Sequence, residues 1–300
     1  MTIAAPELCR SALPGLPPGR PEVMGVLVMG VLNVTPDSFS DGGRFLDPAV
    51  AVAQGLALLA GGADILDIGG ESTRPGAVPV PAAAEIARVV PVIAALRAAG
   101  VVAPISIDTR KAAVAEAAFT AGATILNDVS ALTFDPALAG VAARAGVPVI
   151  LMHAQGTPET MQVAPAYGDV VAEVAAFLAA RVRAAAAAGI DPARIAIDPG
   201  IGFGKTIAHN LALLRAIPVL AGLGHPVLVG ASRKRFVGVL GGAPGVPLPD
   251  GAARMPGSVA VALHAARTGA RLLRVHDVAE TVQALRLQAA LEGRLEGGEA

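Results

Sequence analysis

The chain has 300 residues, is 54% hydrophobic and carries 23 Lys+Arg against 24 Asp+Glu for a formal net charge of −1; this excludes disorder and allows one large domain or two small ones. Mean hydropathy is +0.62, yet charges, Pro and Gly interrupt every apolar stretch before the ~18 residues that a spanning helix needs. With balanced charge, no Trp, one Tyr and seven Phe, the chain offers nucleic acid neither a basic stripe nor a stacking platform; small molecules are the expected partners, without nucleic acid or membrane.

Residues 1–22 contain Pro6, Pro14, Pro17, Pro18 and Pro21 without periodicity and read as a flexible Pro-rich tail, leaving 23–300 as a single domain. From Val23 onward, short apolar runs alternate with Ala/Leu-rich stretches of helical spacing, the pattern of βα units around a parallel sheet covered on both faces. The runs predict strands at 26–34, 63–68, 103–107, 123–127, 148–152, 194–197, 226–230 and 270–275. Between and after them the spacing predicts helices at 48–60, 82–98, 111–121, 136–145, 170–188, 208–217, 259–268 and 278–291. Ala-Gly pairs at Ala121-Gly122, Ala145-Gly146 and Ala188-Gly189 supply the usual helix stop.

Eight such units match the ~250 residues of a TIM (β/α)8 barrel, an α/β fold. Each strand runs apolar and then stops at a polar residue: Asn33, Asp67, Asp108, Asn127 with Asp128, His153, Asp198, Ser232, and Arg274 with His276. These stops recur about every 34 residues, close to the ~30 or more of one βα unit. In this fold the strand C-termini converge on one mouth, where active sites lie. An open doubly wound sheet uses the same alternation, but it calls for a Gly-rich dinucleotide turn after its first strand. The long polar loop after Asn33 is not one.

Scarcity makes some residues informative. Only Lys111, Lys205 and Lys234 stand against twenty Arg, and only Asn33, Asn127 and Asn210 are asparagines, so a retained Lys or Asn signals a role that a substitute fills badly. One cysteine, Cys9, makes no internal disulfide, and a secretory leader is not evident, so the expected compartment is the cytoplasm.

Gly204-Lys205-Thr206 imitates the end of a Walker A loop, but Pro199 occupies its required first Gly; the plain reading is a turn entering a helix with Lys205 at its edge. The 198–205 stretch still places Asp198 at a strand end, with Gly200, Gly202 and Gly204 permitting close backbone approach and Phe203 between two of them, which suits a flat heterocycle. Arg74, between Thr73 and Pro75 in a Gly-flanked loop, suits a diphosphate clamp, though an exposed loop Arg reads equally well. Alternation at 274–276 points Arg274 and His276 the same way, into the mouth. Ser232-Arg233-Lys234-Arg235 reads as a solvated basic run or as part of the site. Asp67, Asp108 and Asp198 round one mouth, without a His/Cys cluster, fit a hard ion such as Mg²⁺ better than zinc. His209, His225 and His264 receive no functional role, and His153 stays open.

Together these segments closely resemble the dihydropteroate synthase family from Met24 to about Leu291. The resemblance rests on MGVLNVTPDSFSDGG (29–43) and DILDIGGESTRPG (64–76), followed in order by SIDT (106–109), NDVS (127–130), Met152-His153, DPG (198–200), SRK (232–234) and RVHDV (274–278). It implies a TIM barrel that condenses a dihydropterin-methyl diphosphate with 4-aminobenzoate, releasing diphosphate and using Mg²⁺ as cofactor, in a homodimer inhibited by sulfonamides. It implies that Asp108, Asn127, Asp198 and Lys234 bind the pterin, with Arg274 over its face. Thr73, Arg74 and His276 would hold the diphosphate, and Asn33 the metal. Asp108, Arg74, Lys234, Arg274 and His276 would carry the catalysis. Phe39, Pro75, Phe203 and Ser232 would form the aminobenzoate pocket, with Asp37 and Asp41 in the first loop that closes over the site. Ala131 departs from the family, where Gly is common, and the tail is extra. Two other readings of the same pattern are a pterin-binding methyltransferase domain and a silent paralogue that binds pterin without turnover.

Overall fold

The structure, a computed structural model, describes residues 13–35, 48–74, 76–157, 160–242, 248 and 250–294. Asp37, Phe39, Asp41 and Pro75 lie outside the described residues. The chain order is β1 (Leu27–Asn33), α1 (Pro48–Ala60), β2 (Ile65–Gly69), α2 (Ala82–Ala98), β3 (Ile105–Asp108), α3 (Ala112–Ala121), β4 (Ile125–Asp128), α4 (Leu138–Ala145) and β5 (Val149–Met152). It continues with α5 (Val170–Ala187), β6 (Ile195–Asp198), α6 (Ile207–Arg215), α7 (Ile217–Ala221), β7 (Leu228–Val229), α8 (Arg235–Gly241), α9 (Met255–Thr268), β8 (Leu272–Val275) and α10 (Val278–Leu291). Thus each expected unit is present, with strands starting one or two residues late. The short helices α7 and α8 are additions to the expected set, and α9 begins four residues before the expected 259.

The strands form one parallel sheet in the order β6-β5-β4-β3-β2-β1-β8-β7. A bridge between Ile197 and Val227 joins the two ends, so the sheet closes as a TIM barrel. Side chains alternate across each strand, which sorts every apolar run into two sets. One set, including Val28, Leu32, Leu66, Ile68, Ile107, Leu126 and Leu151, packs outward against the helices. The other set meets inside the barrel: Leu27, Met29, Ile65, Ile125, Ile150, Ala196, Leu228 and Leu272 form a separate apolar layer at its floor.

Two residues further along, the inward positions change character. Asp67 follows Ile65, Asn127 follows Ile125, Asp198 follows Ala196 and Arg274 follows Leu272, with Asp67, Asn127 and Asp198 all buried. The barrel interior is therefore an apolar floor under a polar layer that faces the mouth. Helix ends follow the local chemistry: Asp169 caps α5 by accepting from the Val171 and Ala172 amides, and Gly122 stops α3 at φ 114, a conformation that a side chain disfavours.

The reading of 1–22 as a tail needs correction over its second half. Leu13 is buried and packs with Leu16 on the barrel floor. Arg20 donates to the Gly62 carbonyl at 2.9 Å and pairs with Asp64 at 3.0 Å, while Asp64 accepts the Val28 amide at 2.8 Å. Two leucines among prolines have no period to betray them, but they cover apolar side chains that the open end of the barrel would expose to water.

Candidate active site

The polar layer is organised by Arg274. Its Nε lies 2.6 Å from an Asp67 oxygen and its Nη2 2.8 Å from Asp108 Oδ2, so one guanidinium from β8 ties together the ends of β2 and β3. Asn127 points its amide nitrogen at Asp67, at 3.3 Å. Although burial alone would lower Arg274, Asp67 and Asp108 hold it above its ordinary range. Burial pushes Asp108 up to about 7 against the pull of Arg274, with Asp67 adding like-charge repulsion.

Across the mouth, Asp198 accepts the Gly200 amide at 2.7 Å, and burial raises its carboxyl despite Lys234 and this hydrogen bond. The Lys234 ammonium donates to the Ile201 carbonyl and sits 4.4 Å from the centre of the Phe203 ring. Burial lowers it to about 8, with Asp198 opposing and Arg274 assisting. Asp198 and Lys234 are thus a poised acceptor and donor beside an aromatic wall, as flat polar-edged ligands require.

Ser232 and His276 form a third group. The Ser232 hydroxyl oxygen accepts the His276 amide at 3.2 Å and lies 3.1 Å from Nδ1 of the same residue. In the tautomer where the Ser232 hydroxyl donates to Nδ1, Nε2 carries the proton and is a donor. Burial and the Arg274 and Arg233 charges lower His276 to about 3, so its imidazole is neutral at physiological pH. Between Ser232 and Lys234, Arg233 holds φ 59, a left-handed conformation costly for a long side chain. Its pairing with Asp277 at 2.5 Å and its amide bond to Ser258 Oγ at 2.9 Å hold it there.

Thr73 is half-buried and Arg74 exposed at the rim; Arg74 is close enough to contribute to the lowering of His276. Their loop is anchored from its root, because Glu71 accepts the Val80 amide at 2.8 Å and pairs with Arg110 at 3.1 Å and Lys111 at 3.0 Å. Burial would raise Glu71, but the Val80 amide and Lys111 bring it below its ordinary range. Lys111 also reaches Glu85 at 2.5 Å, so its retention has a structural explanation.

Asn33, at the end of β1, is half-buried, and its side chain makes no hydrogen bond among the described residues. No group of three or more His, Cys, Asp or Glu able to hold a metal occurs among the described residues. One free amide oxygen at a barrel mouth nevertheless fits Mg²⁺, which keeps several waters and takes few protein ligands alongside substrate phosphates.

Sequence reasoning placed Lys205 at the edge of a turn; the structure buries it, with 3% of its surface exposed. Its Nζ lies 2.9 Å from His153 Nδ1 and donates to the Phe203 carbonyl at 3.0 Å. The scarcity of lysine was the only local signal for it. His209, His225 and His264 serve as a cap and as partners of backbone carbonyls. Ala131, where the family commonly has Gly, stands at φ 52, the left-handed conformation that Gly adopts without penalty.

The pattern of the family described as "Pterin binding enzyme" matches residues 29–276. The dihydropteroate synthase of Mycobacterium leprae is 53% identical over 265 residues, 87% of this chain and 92% of the relative. A structure of Xanthomonas albilineans dihydropteroate synthase with 4-aminobenzoic acid superposes with a TM-score of 0.82 at 52% identity, covering 89% of this chain and 93% of that one. A second structure of that enzyme, in complex with 7,8-dihydropteroate, gives 0.79 at 49% identity, covering 89% and 94%.

Proposed function

The chain belongs to the pterin-binding enzymes, and among them to the dihydropteroate synthases, which are transferases; from that premise we propose that it joins (7,8-dihydropterin-6-yl)methyl diphosphate to 4-aminobenzoate, giving 7,8-dihydropteroate and diphosphate. The observation that carries this reading is the polar layer over the barrel floor, where Arg274 braces Asp67 and Asp108 while Asp198 and Lys234 face them. A pterin presents ring N–H donors and a carbonyl acceptor. Asp108, Asn127 and Asp198 supply acceptors and an amide, and Lys234 a donor, in a site screened from water.

The bond that breaks joins the pterin methylene to the diphosphate oxygen, and its electron pair leaves with the diphosphate. The aminobenzoate nitrogen then bonds to the methylene and loses a proton. Charge therefore develops on the leaving oxygens and on the methylene, so the catalysis is electrostatic rather than covalent. Arg74, Thr73 and the Nε2–H of His276 bind the oxygens, and the Asp108 carboxylate faces the cationic side. Phe203 and Ser232 border the aminobenzoate site, as Phe39 and Pro75 would from their loops, and sulfonamides of similar shape compete there. Asn33 would hold Mg²⁺, which supplies Lewis-acid stabilisation of the departing diphosphate.

No described helix is long and apolar enough to cross a membrane, and we place the enzyme in the cytoplasm. A homodimer is part of the same reading, on the resemblance alone. The reading is tested by measuring diphosphate release from the pterin substrate with and without 4-aminobenzoate and Mg²⁺. Release dependent on both is expected. Tight pterin binding without release would indicate the silent paralogue.

A further inference from the structure

The β6–α6 loop, residues 199–206, carries three glycines in the left-handed region, Gly200 (φ 66), Gly202 (φ 84) and Gly204 (φ 64). Such a loop has much conformational freedom to lose, yet side chains tie nearly every one of its peptides. Asn210 Oδ1 accepts the Gly202 amide and Gln162 Nε2 donates to the Gly202 carbonyl, both at 2.7 Å. The Tyr167 hydroxyl donates to the Gly204 carbonyl at 2.8 Å. From behind, a Cβ on Gly200 would come within 1.9 Å of the His153 carbonyl, so the loop interlocks with the segment that follows β5.

At the centre of this clamp is Lys205. Among the described residues its ammonium has no ion-pair partner, and its contacts are the His153 ring nitrogen and the carbonyls of Phe203 and His153. His153 is wedged edge-on against Phe177 at 4.9 Å and beside Tyr167. A buried ammonium without a carboxylate is costly, and burial lowers Lys205 to about 7, with Asp198 opposing and Lys234 assisting. Its hydrogen bonds and the Asp198 charge offset part of that cost, and one carbonyl it grips belongs to Phe203, whose ring stands beside Lys234.

We propose that Lys205, supported by His153, is a positioning residue for the second substrate: it pins the Phe203 peptide so that the Phe203 ring stands beside the Lys234 ammonium and walls the aminobenzoate site. This rests on the assignment of that wall to 4-aminobenzoate. Lys205 itself touches neither reacting group.

The test uses the full chain and steady-state kinetics with 4-aminobenzoate, together with calorimetry of the pterin diphosphate. Lys205→Met is expected to raise the KM for 4-aminobenzoate about tenfold, an effect of one lost charged hydrogen bond, while pterin affinity stays within about twofold. Because Lys205 acts through Phe203, the KM of the Lys205→Met/Phe203→Ala pair should match that of Phe203→Ala alone. An unchanged KM, or additive effects in the double variant, overturns the proposal. Should Lys205→Met fail to fold, His153→Gln removes the ring support and is read by the same KM and the same double-variant comparison. If the parent chain itself shows no aminobenzoate-dependent release, the assigned reaction fails instead, and Lys205 is then judged by calorimetry of 4-aminobenzoate on the pterin-bound protein, where the variant should bind more weakly.

Discussion

Arg274 and Asp67, 207 residues apart in sequence, meet at 2.6 Å inside the barrel. Removing one partner of such a buried pair leaves a charge with reduced compensation, whereas an amide still accepts a hydrogen bond. Asp67→Ala should lose about 3 kcal/mol of stability, within the range for broken buried pairs, and Asp67→Asn distinctly less. Urea unfolding of both variants checks this; equal losses would show that packing, not pairing, dominates.

Lys234, lowered to about 8 by burial against an ordinary 10.5, should regain its proton when a pterin carbonyl accepts from it, because hydrogen bonding to the ammonium favours that form. The sign follows: between pH 8 and 10 the complex binds more protons than the free protein, so binding takes up a proton and affinity falls as pH rises. The fall is at most about tenfold per pH unit for one proton. Calorimetry in buffers of different ionisation heat measures the uptake, and Lys234→Met should abolish it.

In the proposed reading Asn33 would offer one amide oxygen to Mg²⁺ and nothing to the pterin ring. Asn33→Ala should therefore depress Mg²⁺-dependent turnover by one or two orders of magnitude, in line with lost ligand contributions in metal sites. Pterin binding measured in EDTA should be unchanged. If pterin affinity falls instead, Asn33 belongs to the pterin pocket.

Leu13, buried on the barrel floor, should behave as a core residue far from the chemistry. Leu13→Ala is expected to cost about 2–3 kcal/mol with both KM values unaltered. Thermal unfolding at matched activity is the measurement, and an unaltered midpoint would return this segment to the status of a tail.

The barrel was legible in the sequence because each strand announces itself twice, by an apolar run and by the polar residue that ends it. Asp67, Asp108, Asn127, Asp198, Arg274 and His276 could be placed at one mouth from spacing alone, since alternation fixes which residues face inward. Strand β7, only Leu228–Val229, was overestimated, because apolar residues flanking a strand look the same as those within it. Lys205 stands, as expected, at the edge of the turn that enters α6, but its burial was not legible, for a different reason. Its burial is set by residues 153 and 167 packing over the loop from outside, and no local window contains them. Arg233 and Asp277 likewise pair 44 residues apart, so a basic run that looks solvated holds one residue in an ion pair and another in the pocket.

The closure of the barrel bears on how its walls yield. Neighbouring strands elsewhere share at least two register positions, but β6 and β7 meet through the single Ile197–Val227 bridge, backed by the Ile197 amide donating to the Pro226 carbonyl at 2.9 Å. A ring of staves widens where the fewest bonds cross. That seam lies between the strand that ends in Asp198 and the one that leads to Ser232 and Lys234, while the Arg274 brace spans the strands on the other side. Fewer backbone pairings thus hold the β6–β7 side than the braced side, and among the barrel strands amide exchange should be slowest along β1, β2 and β3 and fastest at the seam.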